Sequence, residues 1–144
     1  MSPESPGWEP APGAARRPPE LQYSVPCDDF RQEAGGKFLF IGVFETLRAA
    51  AFPYVHPAAT VVNRWTDGEG EFVERTRVLG SEGAVVAEGR DLGFALDPQS
   101  VGYTVVTRFV NLAFPAPGIY WVEVLLDGEV RRRYPLLVEE DEGS

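Results

Sequence analysis

The segment from residue 101 to residue 138 restricts the fold more than any other part of the chain, because it contains three strand-like runs joined by two recognisable turns. Pro115-Ala-Pro-Gly118 separates the first two runs, and Asp127-Gly128 separates the last two. Proline fixes φ and lacks a ladder donor, and Asp-Gly tolerates the positive φ of a tight hairpin. The segment therefore predicts an antiparallel meander.

Strand-like runs also recur upstream, at residues 21–25, 37–44, 58–65, 72–79 and 84–88. The run 37–44 is apolar on both faces and predicts a central strand. Residues 45–51 have helical propensity but are too few to form a stable helix, so at most one short helical turn is expected there. This spacing predicts an all-β fold, an antiparallel two-sheet β-sandwich of seven or eight strands with immunoglobulin-like architecture.

Composition divides the chain into three parts. Residues 1–20 hold six of the thirteen prolines and few large apolar groups, which predicts a disordered lead. Residues 21–138 form the predicted β-sandwich domain, and residues 139–144 form an acidic tail. The net charge is −9, of which the tail contributes −4 and the predicted domain −4. Charge of this sign disfavours nucleic acid and membrane surfaces as partners.

The last hairpin contains a conflict between its turn and its side-chain pattern. A two-residue Asp-Gly turn pairs Leu126 with Glu129 and places the apolar rows of the two strands on opposite faces. A three-residue loop with a bulge at Gly128 instead pairs Val124 with Val130 and aligns the rows. We expect this bulged loop, with Arg132 on the inner face opposite Val122.

Cysteine content and hydropathy bear on the cellular compartment. Cys27 is the single cysteine, so no intramolecular disulfide forms, which suits a reducing cytoplasm. The longest apolar run, residues 38–44, is far shorter than the roughly 20 residues of a membrane span. Twelve arginines against one lysine are typical of GC-rich bacterial genomes. We expect a bacterial, cytoplasmic protein.

Few residues are candidates for catalysis or metal binding. Asp28 and Asp29 beside Cys27 raise the pKa of its thiol and work against a nucleophile, so a small buried thiol is expected. His56 is the single histidine, and we expect a surface or packing role. The alternating acidic residues 67–71 match a calcium loop poorly and predict a solvated hairpin loop. The sequence therefore predicts no catalytic residue, no metal site and no cofactor.

Six side chains form a candidate interaction surface: Trp65, Trp121, Arg75, Arg77, Arg131 and Arg133. Alternation places Arg75 with Arg77, and Arg131 with Arg133, on shared strand faces. Glutamates such as Glu74 and Glu123 favour a salt-bridged face over an anion site. The tryptophans would serve a carbohydrate platform if exposed, although aromatic residues in strands more often pack in a core.

Three segments carry a resemblance to a known family. The first segment is Cys27-Asp-Asp-Phe-Arg31 together with residues 36–37 and 41–44. The second is Phe52-Pro53 together with Val62-Asn-Arg-Trp65. The third is Phe114-Pro-Ala-Pro-Gly-Ile-Tyr-Trp121 together with residues 125–129. Together they resemble DUF6941, a small bacterial family of domains of unknown function, over residues 21–138. The resemblance implies a β-sandwich that stands alone and assigns no activity. The turn before Tyr120 also resembles the tyrosine corner of immunoglobulin-like sandwiches.

These observations favour a non-catalytic protein-interaction or accessory module. It would present a sheet face or an edge strand to an unknown protein partner or to a second copy of itself. A carbohydrate or small-ligand binding domain is the alternative, and it requires an exposed Trp65 or Trp121. A hydrolytic enzyme is the third hypothesis, and it requires Asp28, Asp29 and Glu33 to converge with His56.

Overall fold

Ten β-strands make up the regular structure of residues 16–141, the range that the computed structural model describes. They are β1 (Glu20–Gln32), β2 (Phe38–Val43), β3 (Thr46–Ala49), β4 (Tyr54–Thr66), β5 (Gly70–Leu79), β6 (Val85–Glu88), β7 (Leu92–Leu96), β8 (Tyr103–Phe114), β9 (Gly118–Leu126) and β10 (Glu129–Glu140). The all-β class is confirmed. The strand count is higher than the predicted seven or eight, because β3 and β7 were not anticipated.

The strands form two sheets. One has the order β2-β1-β4-β8, and the other has the order β3-β10-β9-β5-β6, with β7 also paired to β5. The predicted meander is therefore wrong at its first connection: β9 pairs with β10, but β8 pairs with β4, because the chain crosses from one sheet to the other at the Pro115–Gly118 corner. All pairings are antiparallel except that of β3 with β10. The helical turn expected at residues 45–51 is therefore wrong: Leu47 is buried against both sheets, and parallel pairing to β10 outweighs the local helical propensity.

Two apolar clusters hold the sheets face to face. The first includes Val61 and Phe109 from the four-stranded sheet and Val78 and Val122 from the other. The second is built around Trp65, with Phe72, Phe94, Leu126 and others. Burial of each such side chain contributes about 1.5–3 kcal/mol. Because both clusters draw on both sheets, the interior of the fold lies between them.

The corner before β9 is tied to its own strand. The Tyr120 hydroxyl donates to the Ala116 carbonyl oxygen at 2.6 Å, and its ring packs edge-on against Phe114 at 4.8 Å. Pro115 and Pro117 bracket the accepting residue. The backbone tie expected from the sequence of this turn is present.

The β9–β10 hairpin corrects the predicted loop. Leu126 pairs directly with Glu129, and Asp127 and Gly128 have φ values of 50° and 84°, so the turn has two residues. The face conflict is resolved by a bulge between Val130 and Arg132. The extra residue thus lies inside β10 rather than in the loop.

That bulge sets the position of Arg132. Its partner is Val124 rather than the predicted Val122, and its guanidinium donates to the Leu21 carbonyl oxygen at 3.0 Å. A backbone acceptor therefore satisfies the charged head at the rim of the sheet.

The β1–β2 hairpin adds a third layer. β1 pairs with β4 as far as Cys27, and from Cys27 onward it pairs with β2. Phe30 of this hairpin packs with Cys27 and Val62 in a separate buried cluster that also takes in Phe38 and other partly buried side chains. Val62 neighbours the core residue Val61, so it lies on the outer face of the four-stranded sheet. The hairpin therefore covers that face.

β2 is an edge strand, so the predicted central position of the run 37–44 is wrong. Its two apolar faces have different surroundings. Phe38 and Phe40 pack toward the Cys27–Val62 cluster, whereas the alternate residues are exposed. The alternation of residues shows that both faces of β2 are apolar, but it does not show that one face has no other part of the protein packed against it.

The predicted lead and tail both contribute to the sheets. Arg17 pairs with Glu69 through two backbone hydrogen bonds of 2.9 and 2.8 Å, β1 begins at Glu20, and β10 continues to Glu140. The rest of the predicted lead and tail, residues 1–15 and 142–144, lies outside the described residues. Within residues 16–141, no helix is long and apolar enough to cross a membrane.

Candidate interaction surface

The exposed face of β2 carries a row of three aliphatic side chains. Leu39, Ile41 and Val43 are 42%, 39% and 58% exposed. They alternate along one strand, so they project on the same side. Single exposed apolar residues are ordinary on protein surfaces, but a row of three on one strand forms a continuous patch.

The same strand has a free backbone edge. β2 pairs with β1 on one side and has no strand on the other among the described residues. The Glu33 amide donates to the Lys37 carbonyl oxygen at 2.8 Å, which fixes the phase of this antiparallel ladder. Alternate residues then direct their backbone groups to opposite sides, so those of Phe38 and Phe40 face the free edge.

Two opposite charges flank the apolar row. Lys37 precedes β2 and Glu45 follows it, and both are exposed. Neither forms an ion pair with any residue in the range 16–141. The surface defined by Lys37, Leu39, Ile41, Val43 and Glu45 is called the β2 edge below.

Gly42 shapes this strand. Its φ of 68° lies in the left-handed region, and a Cβ atom there would collide with the Asp28 carboxylate. Asp28 Oδ1 in turn accepts a hydrogen bond from His56 Nε2 at 3.2 Å. The other ring nitrogen of His56, Nδ1, lies 2.7 Å from the Tyr54 hydroxyl oxygen. Close packing of Asp28 on glycine thus connects the hairpin to β4.

The structure places Trp65 in the core rather than on a surface. It is fully buried, and its Nε1 donates to Glu74 Oε2 at 2.7 Å. The prediction that Trp65 belongs to an interaction surface is therefore wrong. The reason is that Trp65 alternates with Arg64 along β4, and the inward position falls to the tryptophan.

Trp121 is partly exposed but covered. The Arg133 guanidinium lies 4.4 Å from the centroid of its ring. A stacked cation occupies one face of this ring, and that face is closed to a sugar ring. With Trp65 buried, the carbohydrate hypothesis is left with Trp121 alone, which is partly exposed and has one face of its ring covered by Arg133.

The four predicted arginines are engaged by carboxylates. Arg75 contacts Asp91 at 2.8 Å and Glu88 at 3.0 Å. Arg77 contacts Glu123 at 2.8 Å, with Arg133 at 4.0 Å from the same carboxylate. The remaining pair is Arg131 with Glu129 at 3.8 Å. The face is salt-bridged, as expected. Its exposed pairs contribute about 0–1 kcal/mol each, whereas the Arg77–Glu123 pair is partly shielded from solvent because Glu123 is buried.

Glu74, predicted as a partner for these arginines, instead points into the core. It accepts from Trp65, and Thr76 Oγ1 donates to its other oxygen at 3.1 Å. Asn63 Nδ2 donates to Thr76 at 3.0 Å, and Asn63 Oδ1 has no partner among the described residues. Burial raises the pKa of Glu74, only partly opposed by the Trp65, Asn63 and Thr76 hydrogen bonds.

Cys27 has the properties expected of a structural thiol. It is fully buried, and its pKa is raised by burial first and then by the charges of Asp28 and Asp29. Hydrogen bonds from the Phe30 amide and Arg31 lower the pKa of Asp29. Asp29 faces Arg31 and Arg108, whereas Asp28 faces His56, so the acidic pair separates.

The acidic loop at residues 67–71 pairs with the lead. Asp67 Oδ1 accepts from Arg17 at 2.7 Å, and Glu69 makes the backbone bridge described above. Among residues 16–141, no group of three or more His, Cys, Asp or Glu side chains is arranged to hold a metal ion.

The β2 edge was missed at the level of individual residues. The available signal was the turn at Gly35-Gly36 followed by a run that is apolar on both faces. A turn that short implies a local hairpin, but whether its second strand gains another neighbour depends on the whole topology.

Comparison with known proteins gives a family match and no curated relative. A family model described as "Family of unknown function (DUF6941)" matches residues 22–139. No curated protein matches the chain.

Proposed function

The chain belongs to DUF6941, a family of unknown function, and we propose that it is a non-catalytic interaction module that presents the β2 edge to a protein partner. The partner adds an extended segment alongside β2, so that the segment pairs with the free backbone groups of the strand. The observation that carries this proposal is the row formed by Leu39, Ile41 and Val43 beside an open strand edge.

Two physical arguments support this use of the strand. A free edge presents unpaired N–H and C=O groups, and main-chain pairing to such an edge supplies affinity while side-chain rows supply specificity. Protective features that proteins place on edges include inward-pointing charges and prolines, and the six residues of β2 contain neither. The row Leu39–Val43 therefore has the character of a contact surface.

We propose an immunoglobulin-like architecture for the module. Support comes from the two packed sheets and from the hydrogen bond between the Tyr120 hydroxyl and the Ala116 carbonyl, which has the form of a tyrosine corner. The covering β1–β2 hairpin and the parallel β3 strand are additions to that plan. The single buried cysteine fits a reducing bacterial cytoplasm, where we place the protein.

A site-specific cross-linking experiment tests the proposal. A photoreactive phenylalanine analogue is introduced at position 41 of the full chain in the native host, and at position 110 as a matched control. Val110 is 74% exposed on β8, at the opposite edge of the same sheet. We expect a discrete protein adduct from position 41 and none from position 110, with the partner identified by mass spectrometry and the pairing repeated with purified proteins.

The result that contradicts the proposal is equally specific. Adducts that arise from position 110 as efficiently as from position 41, or no adduct from position 41, would show that the β2 edge is not the surface that partners contact.

A further inference from the structure

We propose that a cleft on the outer face of the four-stranded sheet binds a small monocarboxylate with an apolar body, and that Arg64 holds the carboxylate group. The cleft lies between the β1–β2 hairpin and the strands β4 and β8. It has a volume of about 350 Å³, and its lining includes Phe30, Phe38, Arg64 and Thr104. This volume is in the range of small-ligand sites, which begin at about 300 Å³. The inference goes beyond the proposed function and does not depend on it.

Arg64 reaches the outer face because it lies between two buried residues of β4. Asn63 and Trp65 point into the interior between the sheets, so Arg64 points the opposite way. It is half-buried there, because the β1–β2 hairpin covers that face. A guanidinium partly withdrawn from water needs acceptors for its N–H groups.

The charge of Arg64 has no counter-ion among residues 16–141. Its Nη1 donates to Thr104 Oγ1 at 2.9 Å, and most of the five N–H donors of the guanidinium remain available. Arg108 projects from the same face of the sheet and does have a carboxylate partner, Asp29, at 3.3 Å. Of the two arginines on β4 and β8, Arg64 is therefore the one that can take up an external anion.

Phe38 and Gly102 fix the position of the Arg64 guanidinium. Its Cζ lies 5.8 Å from the centroid of the Phe38 ring, within the range of a cation–π contact. A Cβ atom built on Gly102 would lie 2.9 Å from each of Cζ, Nε and Nη2, so the Gly102 backbone faces the plane of the group. A planar fork held in one orientation matches the bidentate geometry of a carboxylate.

The walls of the cleft are largely apolar. The Phe30 and Phe38 rings pack with centroids 5.4 Å apart, and Val106 contributes to the same lining. Such walls bury an apolar body, while one arginine neutralises one negative charge. An aromatic or branched aliphatic monocarboxylate therefore fits, whereas a dianionic phosphate would add excess negative charge to a chain of net charge −9.

The absence of carboxylates separates this cleft from others on the molecule. Among the described residues, its lining contains no acidic side chain. Four other clefts each include at least one carboxylate, and these are Glu88, Asp91 with Asp127, Glu45, and Glu82. In a chain with 22 Asp and Glu residues, a cleft with an arginine and no carboxylate favours an anion.

An NMR titration of the full chain with phenylacetate tests the inference. This probe joins one carboxylate to a phenyl ring, and a dissociation constant in the millimolar range is expected for its size. The largest shifts should occur at the Arg64 side-chain Nε–H and at the backbone amides of Gly102 and Thr104. Phenylacetamide lacks the charge and acetate lacks the ring, so each is expected to bind at least about tenfold more weakly.

Two variants of the cleft and one control locate the site. Arg64→Gln removes the charge and is expected to weaken phenylacetate binding by more than about tenfold. Gly102→Ala keeps Arg64, but its Cβ displaces the guanidinium, which is the end of a flexible side chain, so a folded protein with at least about threefold weaker binding is expected. Circular dichroism verifies the fold of each variant.

Arg90→Gln is the matched control. Arg90 is exposed, lies outside the cleft and, like Arg64, has no ionic partner in the described range. Its replacement changes the net charge by the same amount, so this variant should bind phenylacetate like wild type.

Three results would overturn the inference. They are the absence of a saturable shift at Arg64, binding of phenylacetamide or phenyl phosphate as tight as that of phenylacetate, and an Arg64→Gln variant that binds like wild type. An acetylated tripeptide that ends in phenylalanine with a free carboxylate provides a further arm. Binding of this peptide about tenfold tighter than that of phenylacetate would replace the small molecule by the carboxyl terminus of a protein. Equal or weaker binding supports the small molecule.

These outcomes are independent of the cross-linking result at position 41. Phe38 packs toward the cleft side of the hairpin, whereas Ile41 is exposed on the other side of β2. Failure of phenylacetate to bind therefore leaves the proposed function of the β2 edge unchanged, and absence of an adduct at position 41 leaves the cleft unchanged.

Discussion

Glu74 is the residue whose environment departs most from that of an ordinary carboxyl group. It is fully buried between the sheets, and the side chains that hydrogen-bond it, Trp65, Thr76 and Asn63, are neutral. Desolvation without a compensating cation disfavours the ionised form and raises the pKa. The group therefore stabilises the fold fully below its unfolded pKa of about 4.3, and this contribution is lost as the pH rises through the folded value.

Glu74→Gln tests this linkage. The amide keeps the size of the side chain and can accept from Trp65 but does not ionise, so the free energy of unfolding of the variant should gain on that of wild type as the pH rises above about 4.3. Urea denaturation from acidic to neutral pH gives the two curves. Glu82→Gln, at an exposed turn, is the control and should follow wild type. A Glu74→Gln curve parallel to wild type would disprove the burial argument.

The Tyr120 hydroxyl gives a second test at the level of one atom. Tyr120→Phe removes its 2.6 Å bond to the Ala116 carbonyl and should lower the free energy of unfolding by about 1 kcal/mol. Tyr103→Phe is the matched control, since Tyr103 is 43% exposed and its hydroxyl has no hydrogen-bond partner among the described side chains. Equal stability of the two variants in urea would show that the corner bond contributes nothing.

At the scale of elements, the β1–β2 hairpin depends on the left-handed backbone at Gly42. Gly42→Ala adds a Cβ atom in a strained conformation and pushes it against the Asp28 carboxylate, so a loss of about 1–3 kcal/mol is expected. Gly35→Ala, whose Cβ would meet no atom within 4 Å, should change stability by less than about 0.5 kcal/mol. Urea denaturation measures both, and a Gly42→Ala protein as stable as Gly35→Ala would refute this account of the hairpin.

The elements also show which predictions local sequence supports. Alternating polarity correctly predicted that β8, β9 and β10 are strands, because side-chain alternation is a property of the strand itself. It did not predict that β8 pairs with β4 in the other sheet, so the meander was wrong. The need for a bulge in the last hairpin was also evident, since the apolar rows conflict in a simple turn. Its location at Arg131 was not predictable, because a bulge in the loop at Gly128 and a bulge inside β10 both align the apolar rows of the two strands.

At the scale of the whole molecule, predictions failed where pairing partners decide the outcome. The strand Thr46–Ala49 exists because the end of β10 is available beside it, and no local pattern indicates that. Trp65 was wrongly assigned to the candidate surface, because its burial depends on which face of β4 meets the other sheet and the local sequence does not show this. The β2 edge was missed for the same reason: its exposure results from the position of β2 in the topology.

The central claim is that the free edge of β2 is where the chain makes contact, and amide hydrogen exchange measures this directly. The full chain is compared alone and in complex with the protein that cross-links to position 41. The amides of Phe38 and Phe40 should exchange more slowly in the complex, whereas that of Val110 should not change. Exchange at Phe38 and Phe40 that the partner leaves unchanged, with slowing confined to another strand, would contradict the account.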